Sequence, residues 1–206
     1  FVELIIVNNC STEDKTVKLL KQLSAKYKVV ESSVKGLAQA RNDGIKVATG
    51  KYIVPLDADD LIKPSFIATC VELFDKNPDL TLVRTNVELF GAKKGGIEFE
   101  DYSYAKLLAR NLMVATSMFK KADWQRVGGY DNDFLVCFED WEFWINLLKN
   151  GGQVGTISEK LFKYRIRKGS MMHSLKMNNL KNARKQIWEK HKAQYALHFL
   201  DPSESF

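Results

Sequence analysis

Lys51-Tyr52-Ile53-Val54-Pro55-Leu56 is a short apolar run that stops in Asp57-Ala58-Asp59-Asp60, and an amphipathic segment follows at once. Such a run reads as a strand buried on both faces. In open α/β sheets ligands bind at the carboxyl ends of strands, so this junction constrains both the fold class and the place of a site. Three acids gathered there repel one another unless a cation neutralises them. Hard oxygen ligands suit Mg²⁺ or Mn²⁺, ions commonly held by one or two carboxylates together with substrate phosphates. Acids after strands also make turns and helix caps, so the junction by itself leaves both uses open.

Around it the chain alternates. Leu4–Val7 reads as a strand that ends in Asn8-Asn9-Cys10-Ser11-Thr12, where Ser11 or Thr12 can cap a helix carrying Val17, Leu20 and Leu23. Lys28–Glu31 reads as a strand and Leu37–Ala48 as a helix closed by Gly50. Pro64 opens a further helix with Ile67, Cys70, Val71 and Phe74 on one face, stopped by Asn77-Pro78, before a strand over Thr81–Phe90. Beyond it, Gly91–Gly96 reads as a turn, Tyr104–Asn111 as a short helix and Met113–Phe119 as a strand. Strands alternating with helices predict an α/β fold, a mainly parallel central sheet with helices on both faces.

A second acidic group, Phe138-Glu139-Asp140-Trp141, precedes a helix with Trp141, Trp144, Ile145 and Leu148 on one face. At a helix N-terminus an ionised carboxylate gains about 0.3–1 kcal/mol from the macrodipole. Capping is one reading of Glu139 and Asp140, and a general base kept anionic near neutral pH is the other. Trp141 and Trp144 fit the core face better than a sugar platform.

Composition narrows the classes. The 45% hydrophobic content supports a substantial core, and no apolar run approaches bilayer-spanning length. Cys10, Cys70 and Cys137 are odd in number and far apart, which argues against a disulfide framework or zinc cluster and for a reducing, cytoplasmic compartment. A net charge of +6 suits anionic ligands. Neither a phosphate-binding Gly-x-x-x-x-Gly-Lys loop nor a Gly-x-Gly-x-x-Gly turn is present, so nucleotide hydrolysis and dinucleotide redox chemistry find no support.

Taken in order, Ile5-Ile6-Val7-Asn8-Asn9-Cys10-Ser11-Thr12, Gly36-Leu37-Ala38-Gln39-Ala40-Arg41-Asn42, Ala48-Thr49-Gly50-Lys51-Tyr52-Ile53, Leu56-Asp57-Ala58-Asp59-Asp60, Gly128-Gly129-Tyr130-Asp131, Glu139-Asp140-Trp141-Glu142 and Tyr164-Arg165-Ile166 resemble the family 2 glycosyltransferases of the GT-A, Rossmann-like nucleotide-binding fold. The resemblance implies a domain over residues 1–172 that moves a sugar from a nucleotide-sugar donor, a UDP-sugar first among them, with inversion at the anomeric carbon. It implies metal binding chiefly by Asp59, with Asp57 orienting the ribose or the metal shell. Asp60 either assists or caps the helix after Pro64. Asp140 is the candidate base, with Glu139 beside it at the acceptor, a glycan or lipid-linked hydroxyl. Asn8 and Asn9 stand where the family often has Asp, and are either base-recognising or turn residues. Arg41 either contacts the diphosphate or is solvated. Arg167 stands where the family often has His and can pair with the diphosphate, while His173 is a further candidate metal ligand. The family's opening strand and helix are not represented ahead of Phe1, and the resemblance implies that they complete the nucleotide pocket.

Residues 173–206 carry an apolar stripe, Leu180, Ala183, Ile187, His191, Tyr195 and Phe199, among Lys176, Lys181, Arg184, Lys185, Lys190 and Lys192. This basic helix either packs back on the domain or lies on anionic membrane, a peripheral contact on the inner face. Nucleic acid is excluded as a partner because no stacking aromatics interleave the basic residues. A homodimer stays open. Two rival functions remain at this stage, a nucleotidyltransferase that also holds Mg²⁺ on paired acids and a non-catalytic binding or scaffold domain.

Overall fold

The computed structural model describes residues 1–134, 137–167 and 177–199. β1 (Ile5–Asn8) and β2 (Lys28–Glu31) pair in parallel with Ile5 opposite Lys28, joined by α1 (Asp14–Leu23). α2 (Leu37–Val47) lies against β1, and a Cβ on Gly44 would stand 2.9 Å from Val7 Cγ2. The missing side chain is what lets this helix approach the strand so closely.

The second sheet is built from β3 (Tyr52–Ile53), β4 (Leu61–Ile62), β5 (Leu80–Gly91), β6 (Gly95–Ile97), β7 (Met118–Lys120) and β8 (Gln153–Ile166). Its order is β3-β7-β5-β8-β4, with β6 also on β5. β5 and β8 run parallel from Leu80–Gln153 to Gly91–Ile166, whereas β3–β7, β4–β8, β5–β6 and β5–β7 are antiparallel. The sheet is therefore mixed, which corrects the mainly parallel expectation. The cause is the chain's second half: β6 returns on β5 through a short turn, which only antiparallel partners allow. β3 is also shorter than its apolar sequence suggests, and the ladder ends at Ile53. Pro55 has no N–H to continue it. Among the described residues β1 pairs only with β2 and β3 only with β7, so each has one edge without a strand partner.

Helices cover both faces of this sheet, as the alternation predicted. On β5, Leu82 joins a core with Phe119, Phe143 and Trp144, while the next residue, Val83, joins Phe66, Cys70 and Phe74 of α3 (Phe66–Lys76) on the opposite side. Burying each such side chain stabilises the fold by about 1.5–3 kcal/mol. The first of these cores also receives α4 (Tyr104–Ala109), α5 (Lys121–Val127), α6 (Glu139–Leu148), α7 (Met177–Lys190) and α8 (Lys192–His198). The C-terminal stripe faces inward: Ala183, Ile187, His191 and Tyr195 are buried, and the helix breaks at His191. Lys181, Lys185 and Lys192 are exposed. No helix among the described residues is long and apolar enough to cross a membrane.

The cap expected of Ser11 or Thr12 is not made. α1 starts after Glu13 without a side-chain cap, because Asn8 Oδ1 accepts the Ser11 N–H at 3.0 Å and closes a turn one step earlier.

Candidate active site

The two acidic clusters meet on one arginine. Arg41, on the inward face of α2, donates from Nη1 to Glu139 Oε1 at 2.6 Å and from Nη2 to Asp57 Oδ1 at 3.2 Å. Its side chain is 9% exposed, against 7% for Glu139 and 41% for Asp57. Burial alone would lower the Arg41 pKa, but Tyr130, Glu139, Asp57 and Asp140 more than offset it and hold the guanidinium charged. Arg41 is thus buried and paired with both acids, not solvated. It ties the strand-end acids to the start of α6, with a planar fork suited to two carboxylates at once.

Asp59 accepts from Arg167 Nη2 at 2.7 Å, and its carbonyl accepts from Arg165 Nε at 2.7 Å. Asp60 is buried, and its Oδ1 accepts the Arg165 N–H at 2.7 Å. It caps no helix: α3 begins after Ser65, and Asp60 instead pins the end of β8 beside β4. Burial, then the neighbouring Asp59 and Asp57, push the Asp60 carboxyl up to about 6, opposed by the Arg165 N–H. The Tyr164 hydroxyl is raised as well, by burial and by Asp60, Asp57, Asp59 and Asp140 together. Both acidic groups therefore share one neighbourhood.

Asp140 sits half-buried in the first turn of α6. Its carboxylate accepts the Trp141 N–H at 2.7 Å and Asn111 Nδ2–H at 3.2 Å. Burial and the adjacent Glu139 push it up to about 6, while Arg41, the Trp141 N–H and Asn111 hold it down. An acid so tuned is ionised at neutral pH yet close enough to its pKa to take a proton. Phe138, which leads into the helix, has φ 66°, a left-handed conformation costly for a bulky residue. Trp141 and Trp144 are buried, and Trp141 Nε1 donates to the Leu107 carbonyl at 2.7 Å, so both belong to the core.

Asn8 and Asn9 are engaged as turn residues. Asn8 Nδ2 donates to Glu31 Oε2 at 2.7 Å, and Asn9 Oδ1 accepts the Gly36 N–H at 2.8 Å, which fixes the loop into α2. His173 lies outside the described residues. Several contributors carried no role in the sequence reading. Asn42 accepts from the Tyr130 N–H at 2.9 Å and Trp124 Nε1 at 3.0 Å, and donates to the Tyr130 carbonyl at 2.8 Å. Its position next to Arg41 within a matched stretch was the available signal. Arg165, within the matched Tyr164-Arg165-Ile166, had the same signal, and Asn111 had none, because its partner is distant in sequence.

Among the described residues no three His, Cys, Asp or Glu side chains enclose a cation position. Asp57 and Asp59 are 41% and 32% exposed, and each pairs with an arginine, Arg41 and Arg167. Carboxylates this accessible could hold Mg²⁺ or Mn²⁺ together with phosphate and water once those arginines give way.

The family model for Glycosyl transferase family 2 matches residues 1–118. The chain belongs to this family. An uncharacterized glycosyltransferase of Methanocaldococcus jannaschii is 29% identical over 178 residues, 81% of this chain and 60% of that protein. The UDP-Gal:alpha-D-GlcNAc-diphosphoundecaprenol beta-1,3-galactosyltransferase of Escherichia coli is 27% identical over 144 residues, 65% of this chain and 50% of that one. Among solved structures, S. aureus TarS 1-349 in complex with UDP-GlcNAc superposes with a TM-score of 0.75 at 16% identity, covering 98% of this chain and 60% of that TarS 1-349 chain. The fold of this chain is thus the GT-A arrangement. The chain spans between about a fifth and three fifths of the length of the curated relatives first matched.

Proposed function

We propose that this chain carries the catalytic centre of a metal-dependent, inverting glycosyltransferase that moves a sugar from a UDP-sugar to a hydroxyl of a glycan or lipid-linked acceptor. The observation that carries the reading is Arg41 joining Asp57 to Glu139, next to Asp140. It sets a diphosphate-side acid pair and an acceptor-side base against one another across a single guanidinium. The TarS complex with UDP-GlcNAc and the galactosyltransferase acting with UDP-Gal on a diphosphoundecaprenol-linked sugar support the donor and acceptor classes.

In this reading Asp59 and Asp57 hold Mg²⁺ or Mn²⁺, which supplies positive charge to the departing diphosphate. Arg167 leaves Asp59 to pair with the same phosphates. Asn8 and Asn9 shape the loop that borders the base. Asp140 accepts the proton of the acceptor hydroxyl as that oxygen bonds the anomeric carbon from the face opposite the leaving group. The bond from that carbon to the diphosphate oxygen breaks, and the configuration inverts. Glu139, held by Arg41, occupies the guanidinium beside Asp140. General-base participation contributes about 10²–10⁴-fold. Asp140→Asn should lower UDP release from UDP-sugar by that factor with UDP affinity retained, and near-normal turnover would remove Asp140 as the base.

We also propose that the exposed Lys181, Lys185 and Lys192 bring the enzyme to anionic lipid on the cytoplasmic side, where such acceptors reside. Co-sedimentation with anionic liposomes at moderate salt tests it, and no binding there removes it.

A further inference from the structure

Glu142 follows Asp140 by half a turn and points the other way, with no exposure to solvent. A carboxylate so placed needs cations or donors, and both come from the far end of the chain. Glu142 Oε1 accepts from Lys190 Nζ at 2.8 Å and from His191 Nε2 at 2.9 Å. Lys190 reaches at the same time to Asp131, the residue after the Gly128-Gly129-Tyr130 turn. Among the described residues Glu142 Oε2 has no hydrogen-bond partner, so its charge depends on this one pair of contacts.

The same two helices grip α4. The Tyr195 hydroxyl donates to the Leu108 carbonyl at 2.7 Å, one residue beyond the carbonyl that holds Trp141 Nε1. Asn111, just past α4, is the side chain that donates to Asp140. The Arg184 guanidinium lies 5.7 Å from the Trp141 ring centre. The C-terminal pair therefore contacts α6, α4 and the Asp131 turn, the elements that surround Asp140, and it does so beyond the stretch that the family model matches.

We propose that Lys190 and His191 are positioning residues of the transferase site: by holding Glu142 they fix the first turn of α6, and with it Asp140, against Arg41 and the strand-end acids. Neither touches substrate. The proposal rests on the reading of Asp140 as the base, and a displacement of the base by about 1 Å is enough to lose about a hundredfold in rate. Donor binding lies at Asp57 and Asp59, on the other side of Arg41, and is untouched.

The test uses the full chain with Lys190→Met, His191→Leu and His191→Gln, the last retaining an N–H donor. Glu142→Gln/Lys190→Met removes the buried carboxylate together with its cation, leaving only the part-exposed Asp131 without its lysine, and guards against a variant that merely fails to fold. UDP affinity with Mn²⁺, UDP release from UDP-GlcNAc and hydrogen–deuterium exchange over residues 138–143 are read together. The expected result is unchanged UDP affinity, turnover reduced about 10–100-fold in Lys190→Met and His191→Leu, partial rescue in His191→Gln, and faster exchange confined to 138–143 and 107–111. Unchanged turnover and exchange would overturn the proposal. So would a parallel loss of affinity, turnover and protection throughout β5, which is general destabilisation. If the unaltered chain binds no UDP, the donor reading fails separately, and local exchange at 138–143 still decides the positioning.

Discussion

Arg41 satisfies two carboxylates whose positions in the chain are far apart, and it does so while almost wholly buried. Removing one partner of such a group leaves the other as an uncompensated buried charge, at a cost of about 3–5 kcal/mol. Arg41→Met should therefore lower stability by about that amount, read from urea unfolding, with Glu139 as the stranded charge. Arg41→Lys should recover only part, since one ammonium cannot bridge both acids. Asp140 offers a second test, through pH. Its carboxyl is raised from 3.8 to about 6, so the folded chain binds its proton more tightly than the unfolded chain does. Stability from this group is present below about pH 4 and is lost as pH rises through 6, and Asp140→Asn should flatten that part of the unfolding profile. Turnover should show the opposite limb, rising through about pH 6 as the base ionises. Asn111 hydrogen-bonds the ionised form, so Asn111→Ala should move that limb upward by about half to one unit. The acids themselves were legible in the sequence because carboxylates at a strand end and a helix start are local patterns. Arg41 as their bridge was not, since no local spacing reports a contact across 98 residues.

At the scale of elements, α2 delivers Arg41, and its seat on β1 depends on Gly44. A side chain there meets Val7, and overpacking of this kind typically costs about 1–3 kcal/mol. Gly44→Val should lose stability in that range and weaken nucleotide binding, because the helix that carries Arg41 is pushed outward. β1, β2, α2, β5 and α6 form where the apolar runs placed them, β5 with Leu82 and Val83 buried on opposite faces. The mixed sheet escaped that reading. β8, whose polar run Ser158-Glu159-Lys160 and apolar pair Leu161-Phe162 follow no strict alternation, draws no strand assignment, yet it lies parallel to β5. Strand direction is set by long-range pairing, which periodicity does not encode. The helix-cap reading of Asp60 fails for the same reason: its partner, the Arg165 N–H, lies at the end of that unrecognised strand.

For the whole molecule, the described residues form two sheets and two cores, and α7 and α8 pack on the core that also holds α6. Among the described residues β1 and β3 each keep one edge without a strand partner. The net charge of +6 over the chain favours a dianionic donor at a site that otherwise gathers acids. In the proposed reading a diphosphate approaches Asp57 and Asp59 together with a cation. Calorimetric titration of UDP into the chain, with and without Mn²⁺ and repeated on Asp59→Asn, tests this most directly. Binding that requires Mn²⁺ and disappears in Asp59→Asn is the expected result. No binding in either condition, or binding indifferent to both Mn²⁺ and Asp59, would contradict it.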